Sequence, residues 1–100
     1  MTIGVCVFEI KFEESNSLKK KRYHLKNLKT KIRNKYNVSL SEIDYFDLWQ
    51  KAKLAAVCVS QESKFANEIL NNMVNFIKFN IEGELITSEI EVTEYEQTAS

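Results

Sequence analysis

Between Thr2 and Phe12 the apolar residues change sides at every step. Gly4, Cys6, Phe8, Ile10 and Phe12 share one face of an extended segment, and Ile3, Val5 and Val7 share the other before it turns polar at Glu9 and Lys11. A strand apolar on both faces has to be covered fully on one side and partly on the other, so it belongs inside a sheet rather than at its edge. The rest of the chain must supply its neighbours and its cover.

After the polar turn Glu13-Glu14-Ser15-Asn16-Ser17 the period changes. Leu18, Leu25, Leu28, Ile32 and Tyr36 recur at helical spacing, with Ser17 placed to cap the start and Asn37 placed to close the end in the left-handed conformation. From Val38 to Tyr45 the alternation slips by one residue, as in an edge strand with a bulge. Phe46-Asp47-Leu48-Trp49 makes a loop or wide hairpin, in which Asp47 is expected to cap the turn and Trp49 to anchor packing. Ala52 to Val59 reads as a strand, because the run is short and ends Val-Cys-Val; its alanines would also suit a helix. A second helix follows, capped by Ser60 or Ser63, with Ala66, Ile69, Leu70, Met73, Val74 and Ile77 on one face to about Asn80 and Gly83 as its stop. Ile86, Ser88, Ile90 and Val92 then alternate with Thr87, Glu89, Glu91 and Thr93 in a last strand with one acidic face.

The order βαββαβ predicts an α+β fold of the ferredoxin-like kind, a four-stranded antiparallel sheet with two helices on one face and the first and third strands at its centre. One domain over residues 1–96 accounts for the 100 residues, with 97–100 expected to fray. No apolar stretch is long enough to cross a bilayer and no secretory leader opens the chain, so a cytoplasmic protein without membrane contact is expected. Cys6 and Cys58 lie in apolar runs and read as reduced core residues.

The zero net charge hides an asymmetry. Residues 1–53 hold 12 of the 14 Lys and Arg and 6 of the 14 Asp and Glu, for +6; residues 54–100 hold the rest, for −6. The first helix concentrates it: Lys19, Lys20, Lys21, Arg22, Lys26, Lys29, Lys31, Arg33 and Lys35 occur with no acid between Ser17 and Asn37. Without i, i+4 acidic partners these cations repel one another, a cost that phosphate would relieve. A solvated face neutralised by the acidic half is the plainer alternative. Helical geometry turns Lys21 toward the Leu18, Leu25, Ile32 stripe, so it must snorkel past the core edge, where with Lys19 and Arg22 it could hold an anion near the helix N-terminus. The candidate anion- or RNA-binding residues are therefore Ser17, Lys19, Lys20, Lys21, Arg22, Lys26, Lys29 and Arg33.

Other chemistries find less support. Base stacking on the sheet would need exposed aromatics on the first and third strands, and the third has none. The lone His24 has no Cys or carboxylate at a useful spacing, and two glycines make no phosphate loop. No enzyme activity, metal or cofactor is expected. The face formed by Ile3, Val5, Val7, Ala55, Val57 and Val59 is one that a second copy would cover, so a homodimer is expected.

Ser17-Leu18-Lys19-Lys20-Lys21-Arg22, Asn37-Val38-Ser39 and Asp47-Leu48-Trp49-Gln50-Lys51-Ala52 resemble, in residues and spacing, the YlxP-like family of uncharacterised bacterial proteins, over nearly the whole chain. The resemblance implies a ferredoxin-like fold and a bacterial cytosolic protein whose genes often lie beside those of translation factors; it implies no reaction. The family commonly has Glu where this chain has Lys20, a change that removes a capping box with Ser17 and makes the first turn more basic. The expected function is a non-enzymatic, RNA- or ribosome-associated binding protein that contacts phosphates through its first helix. The alternative is a homodimeric protein-interaction module that binds no nucleic acid.

Overall fold

The computed structural model describes residues 1–96, so the expected fraying of 97–100 lies outside the described residues. Its elements follow in the order β1 (Thr2–Lys11), α1 (Leu18–Lys35), β2 (Ser39–Asp44), β3 (Lys51–Ser60), α2 (Ser63–Phe79) and β4 (Glu84–Glu94). The four strands form one antiparallel sheet in the order β2-β3-β1-β4, which is the ferredoxin-like arrangement expected from the sequence. β1 and β3 pair without interruption from Thr2↔Ser60 to Lys11↔Lys51. β4 slips past β1 between Glu9 and Ile10, and β2 slips past β3 between Glu42 and Asp44, the irregularity expected of that edge strand.

Pairing decides which residues share the covered face. Cys6, Phe8 and Ile10 of β1 and Ala52, Leu54, Ala56 and Cys58 of β3 are buried in one core with Leu25, Leu28 and Ile32 of α1 and Ala66, Leu70, Met73, Val74 and Ile77 of α2. Both cysteines are free, and burial pushes the Cys6 thiol up to about 11 and raises that of Cys58, so neither is poised as a thiolate. The opposite face carries no helix: Ile3, Val5, Val7, Ala55 and Val57 are only half-buried, and Val59 is 65% exposed.

The helix ends differ from expectation. α1 stops at Lys35, two residues before Asn37, because Tyr36 turns extended (φ −126°) with its N–H still donating to the Ile32 carbonyl, and its hydroxyl donates to the Asn72 carbonyl of α2. Among the described residues, the one non-glycine with positive φ is Tyr45 (φ 61°), in the β2–β3 connection. α2 is preceded by Glu62, and neither serine caps it: Ser60 accepts from the Glu62 N–H, and Ser63 donates to the Glu94 carboxylate. Its stop is Asn80, whose side-chain amide donates to the Phe76 carbonyl.

Gly83 thereby acquires another role. A Cβ there would stand 2.5 Å from the Lys11 carbonyl oxygen, so the residue is small because main chain passes it. At Gly4 a Cβ would stand 2.8 Å from Leu70 Cδ1, the tip of a side chain that can move. Gly83→Ala is therefore expected to lower stability by about 1–3 kcal/mol and Gly4→Ala by less; equal urea midpoints for the two variants would refute this distinction.

A basic groove and a buried lysine on the first helix

Ser17, in extended conformation, accepts the Lys20 N–H on its hydroxyl oxygen (3.1 Å) and caps α1 as expected. From that start, 100° per residue sorts the cations. Lys21 falls in line with Leu25, Leu28 and Ile32, the buried stripe. Lys19, Arg22, Lys26, Lys29 and Arg33 fall within an arc of about 80° on one flank of it, and Lys20, Lys31 and Lys35 on the other.

The first flank borders β2. Arg22, Lys26, Lys29 and Arg33, with Leu25, Thr30 and Glu42, line an open groove of about 410 Å³ in which Glu42 is the one acid. Arg33 donates to the Leu40 carbonyl (2.9 Å), and the Lys29 ammonium lies 3.7 Å from Glu42 Oε1. On the other flank Lys20 joins His24, Lys11 and four glutamates, Glu13, Glu14, Glu82 and Glu84, around a recess of about 440 Å³. Lys31 lies 3.5 Å from the Asn80 carbonyl, and Lys35 sits over the Phe76 ring. The eight sequence-predicted residues are thus not one cluster: four line a groove, Lys19 is exposed on the same flank, Lys20 faces acids, Ser17 is a cap and Lys21 is inside.

Lys21 does not snorkel. Its side chain is 1% exposed, and its ammonium donates to the Tyr45 carbonyl (2.6 Å) and lies 3.9 Å from Glu42 Oε2, an oxygen with no hydrogen-bond partner of its own. Burial lowers its pKa below the ordinary lysine value, with Arg22 adding and Glu42 and Asp47 opposing. An ammonium held this way is unavailable to an outside phosphate. It fixes the β2–β3 connection instead, a role hidden from sequence because its partner is a main-chain oxygen 24 residues on.

The connection so held is the feature that sequence misjudged most. Asp44, rather than Asp47, caps the turn by accepting the Tyr45 N–H (2.7 Å). The Thr87 hydroxyl donates to Glu9 (2.9 Å) and, with a smaller contribution from the Tyr45 hydroxyl, holds its carboxyl below the usual range. Gln50 donates to the Glu13 and Ser15 carbonyls and accepts the Phe12 N–H. Between these fixings Trp49, expected as a packing anchor, is 55% exposed, with Phe46 and Leu48 exposed beside it. His24 stacks on Phe12 at 5.8 Å.

Removing one member of a buried ion pair strands the other. Lys21→Met is expected to destabilise the protein by about 3 kcal/mol, near the low end of the range for such pairs because Lys29 still faces Glu42. Adding Glu42→Leu should recover part of the loss; a double variant no more stable than the single one in urea would show that the pair is not the source.

Comparison with known proteins agrees with this architecture. Residues 3–90 match the family model described as "Protein of unknown function (DUF503)". The chain is 37% identical over 75 residues to "Uncharacterized protein YlxP" of Bacillus subtilis (strain 168), covering 75% of this chain and 82% of that one. Among solved structures, the de novo designed protein Foldit4 superposes with a TM-score of 0.53 at 12% identity, covering 96% of this chain and all of that one. The designed protein LFR1 1, described as having a ferredoxin fold, gives 0.50 at 14% identity over 100% of this chain and 92% of that one. These two likenesses concern the fold alone. On the strength of the first two matches, the chain belongs to the DUF503 family, together with YlxP.

Proposed function

We propose that this protein is a non-enzymatic, cytoplasmic RNA-binding protein, associated with RNA or the ribosome, that grips phosphates along the α1–β2 groove. The observation that carries the reading is the alignment of Arg22, Lys26, Lys29 and Arg33 along one open groove with a single acid, on a helix that has none. All four cations lie about one turn apart in succession, so a polyanion laid along the helix meets charge at every turn. Such contacts position a backbone without reading its sequence. The translation context implied by the family resemblance points the same way. Buried thiols with raised pKa values and a His24 stacked on Phe12 suit a binder better than a catalyst.

Binding measured by anisotropy of labelled RNA should weaken steeply from 50 to 200 mM salt, with a log–log slope of roughly −3 if four phosphates are contacted. Arg22→Gln, Lys26→Gln and Lys29→Gln together should flatten that slope by roughly 2, whereas Lys31→Gln with Lys35→Gln, on the other flank, should change it less. RNA affinity that is absent at 50 mM, or indifferent to salt, removes the reading.

A second reading concerns assembly, and the helix-free sheet face favours it. If a second copy packs face to face about a twofold axis parallel to the strands, running between β1 and β3, each β1 residue meets its own β3 register partner in the other copy. Val5 then meets Val57, Ile3 meets Val59, Val7 meets Ala55, and Glu9 meets Lys53 of opposite charge. An axis across the strands would instead lay the acidic strand β4 on itself. Val5→Glu and Val57→Lys should each yield monomers by light scattering, and mixing the two should restore a dimer; a wild-type monomer, or a mixture that stays monomeric, excludes this arrangement.

A further inference from the structure

The α1–β2 groove leaves the exposed rings of the β2–β3 connection without a use. Phe46, Leu48 and Trp49 stand within four residues of one another, at 48%, 46% and 55% exposure. A loose loop would fold such side chains back onto the protein. This one is tied by the Lys21 ammonium, by the Leu48 N–H donating to the Tyr45 carbonyl (3.1 Å), and by Gln50 at its far end. Tyr45 accepts a left-handed backbone within that frame. The indole is held out.

Beside it lies an open recess of about 340 Å³ whose lining is Leu48, Trp49, Gln50, Lys11 and Lys51. Its wall is mostly apolar and its lining includes two lysines and no acid. Lys11 is shared with Glu13 at 3.5 Å, both exposed; Lys51 lies 6.0 Å from the Tyr45 ring, as does Lys53 one step inward on β3. The larger recess around Lys20 and His24 has four glutamates and would repel an anion. An apolar ring in a recess whose own lining holds two lysines and no acid matches a ligand that is flat and apolar on one part and anionic on the next, which describes an unpaired nucleotide.

We infer that Trp49 is a stacking platform for an unpaired base, with Lys51 and Lys11 beside the adjoining phosphate, so that this protein binds single-stranded RNA in preference to duplex. The inference rests on the RNA-binding reading and sharpens it: duplex RNA could lie along α1 but has no free base to offer Trp49. Recognition is tolerant of sequence, because every base has a π face.

The chain has one tryptophan, so its fluorescence reports on this site alone. The test titrates the full chain at 50 mM salt with an unstructured eight-nucleotide pyrimidine RNA and with a duplex containing it, following both Trp49 emission and the anisotropy of the labelled RNA. The expected result is quenching by the single strand and not by the duplex, with Trp49→Ala weakening single-strand binding about tenfold and leaving duplex binding unchanged. Trp49→Phe should restore most of the affinity, and Lys51→Gln should flatten the salt slope without abolishing quenching. Thermal unfolding of Trp49→Ala near the wild-type temperature verifies that the variant is folded. RNA binding with no change in Trp49 emission and full affinity in Trp49→Ala overturns the stacking site while the groove reading stands. No RNA binding at all removes both. A blue shift of Trp49 on vesicles rich in phosphatidylserine, with no response to RNA, overturns the assignment in favour of an anionic membrane surface.

Discussion

The ammonium of Lys21 is the point at which the helical layer and the edge of the sheet are joined. A charged group in line with Leu25, Leu28 and Ile32 is costly to bury, and the cost is offset by the Tyr45 carbonyl and the nearby Glu42 carboxylate. Arg33 on the Leu40 carbonyl and Lys29 facing Glu42 extend the same attachment along β2. Three cations of the basic helix thus hold an edge strand that has only one neighbour in the sheet. The acid-free composition of α1 follows in part from this: carboxylates on that flank would compete with Glu42 and the strand carbonyls for the same cations.

The layers of the fold were legible because burial imposes its period on the sequence. Gly4 to Phe12 alternate because β1 is covered from one side, and Leu25, Leu28 and Ile32 recur at helical spacing because α1 lies on that side. The chain's turning points were not legible in the same way. Asn37 and Gly83 have the chemistry of helix stops, but Tyr36 and Asn80 end the helices, because Tyr36 reaches across to α2 and Asn80 bonds back to Phe76. Gly83 answers to the passing main chain of Lys11.

The candidate site was legible as a charge excess and illegible as an arrangement. Helical spacing places Lys21 near the core edge, but only the path of the chain after β2 brings the Tyr45 carbonyl to it. The same path explains Trp49. An indole in an apolar-looking loop is ordinarily packed, and here the loop is fixed from both ends by polar bonds, so it needs no apolar anchor and its rings face outward. Two of the segments that carry the family resemblance, Ser17 to Arg22 and Asp47 to Ala52, each reach the residues just before the other, Lys21 through the Tyr45 carbonyl and Gln50 through the Ser15 carbonyl.

Sheet order also sets how far the acidic last strand lies from the basic groove. The acidic strand β4 and the strand bordered by the basic groove, β2, are the two outer edges of the sheet. Three strand spacings put them about 14 Å apart, beyond the Debye length of about 8 Å at physiological ionic strength. The four glutamates of β4 therefore do little to neutralise charge at the β2 edge across solvent. Lys20, beside Glu82 and Glu84, is compensated within the chain. In the groove that Arg22 and Lys26 line, Glu42 is the one acid, and it already answers to Lys21 and Lys29. Their mutual repulsion is a local cost carried by the helix, and it is this cost that the proposed polyanion would relieve, at the spacing at which the cations stand.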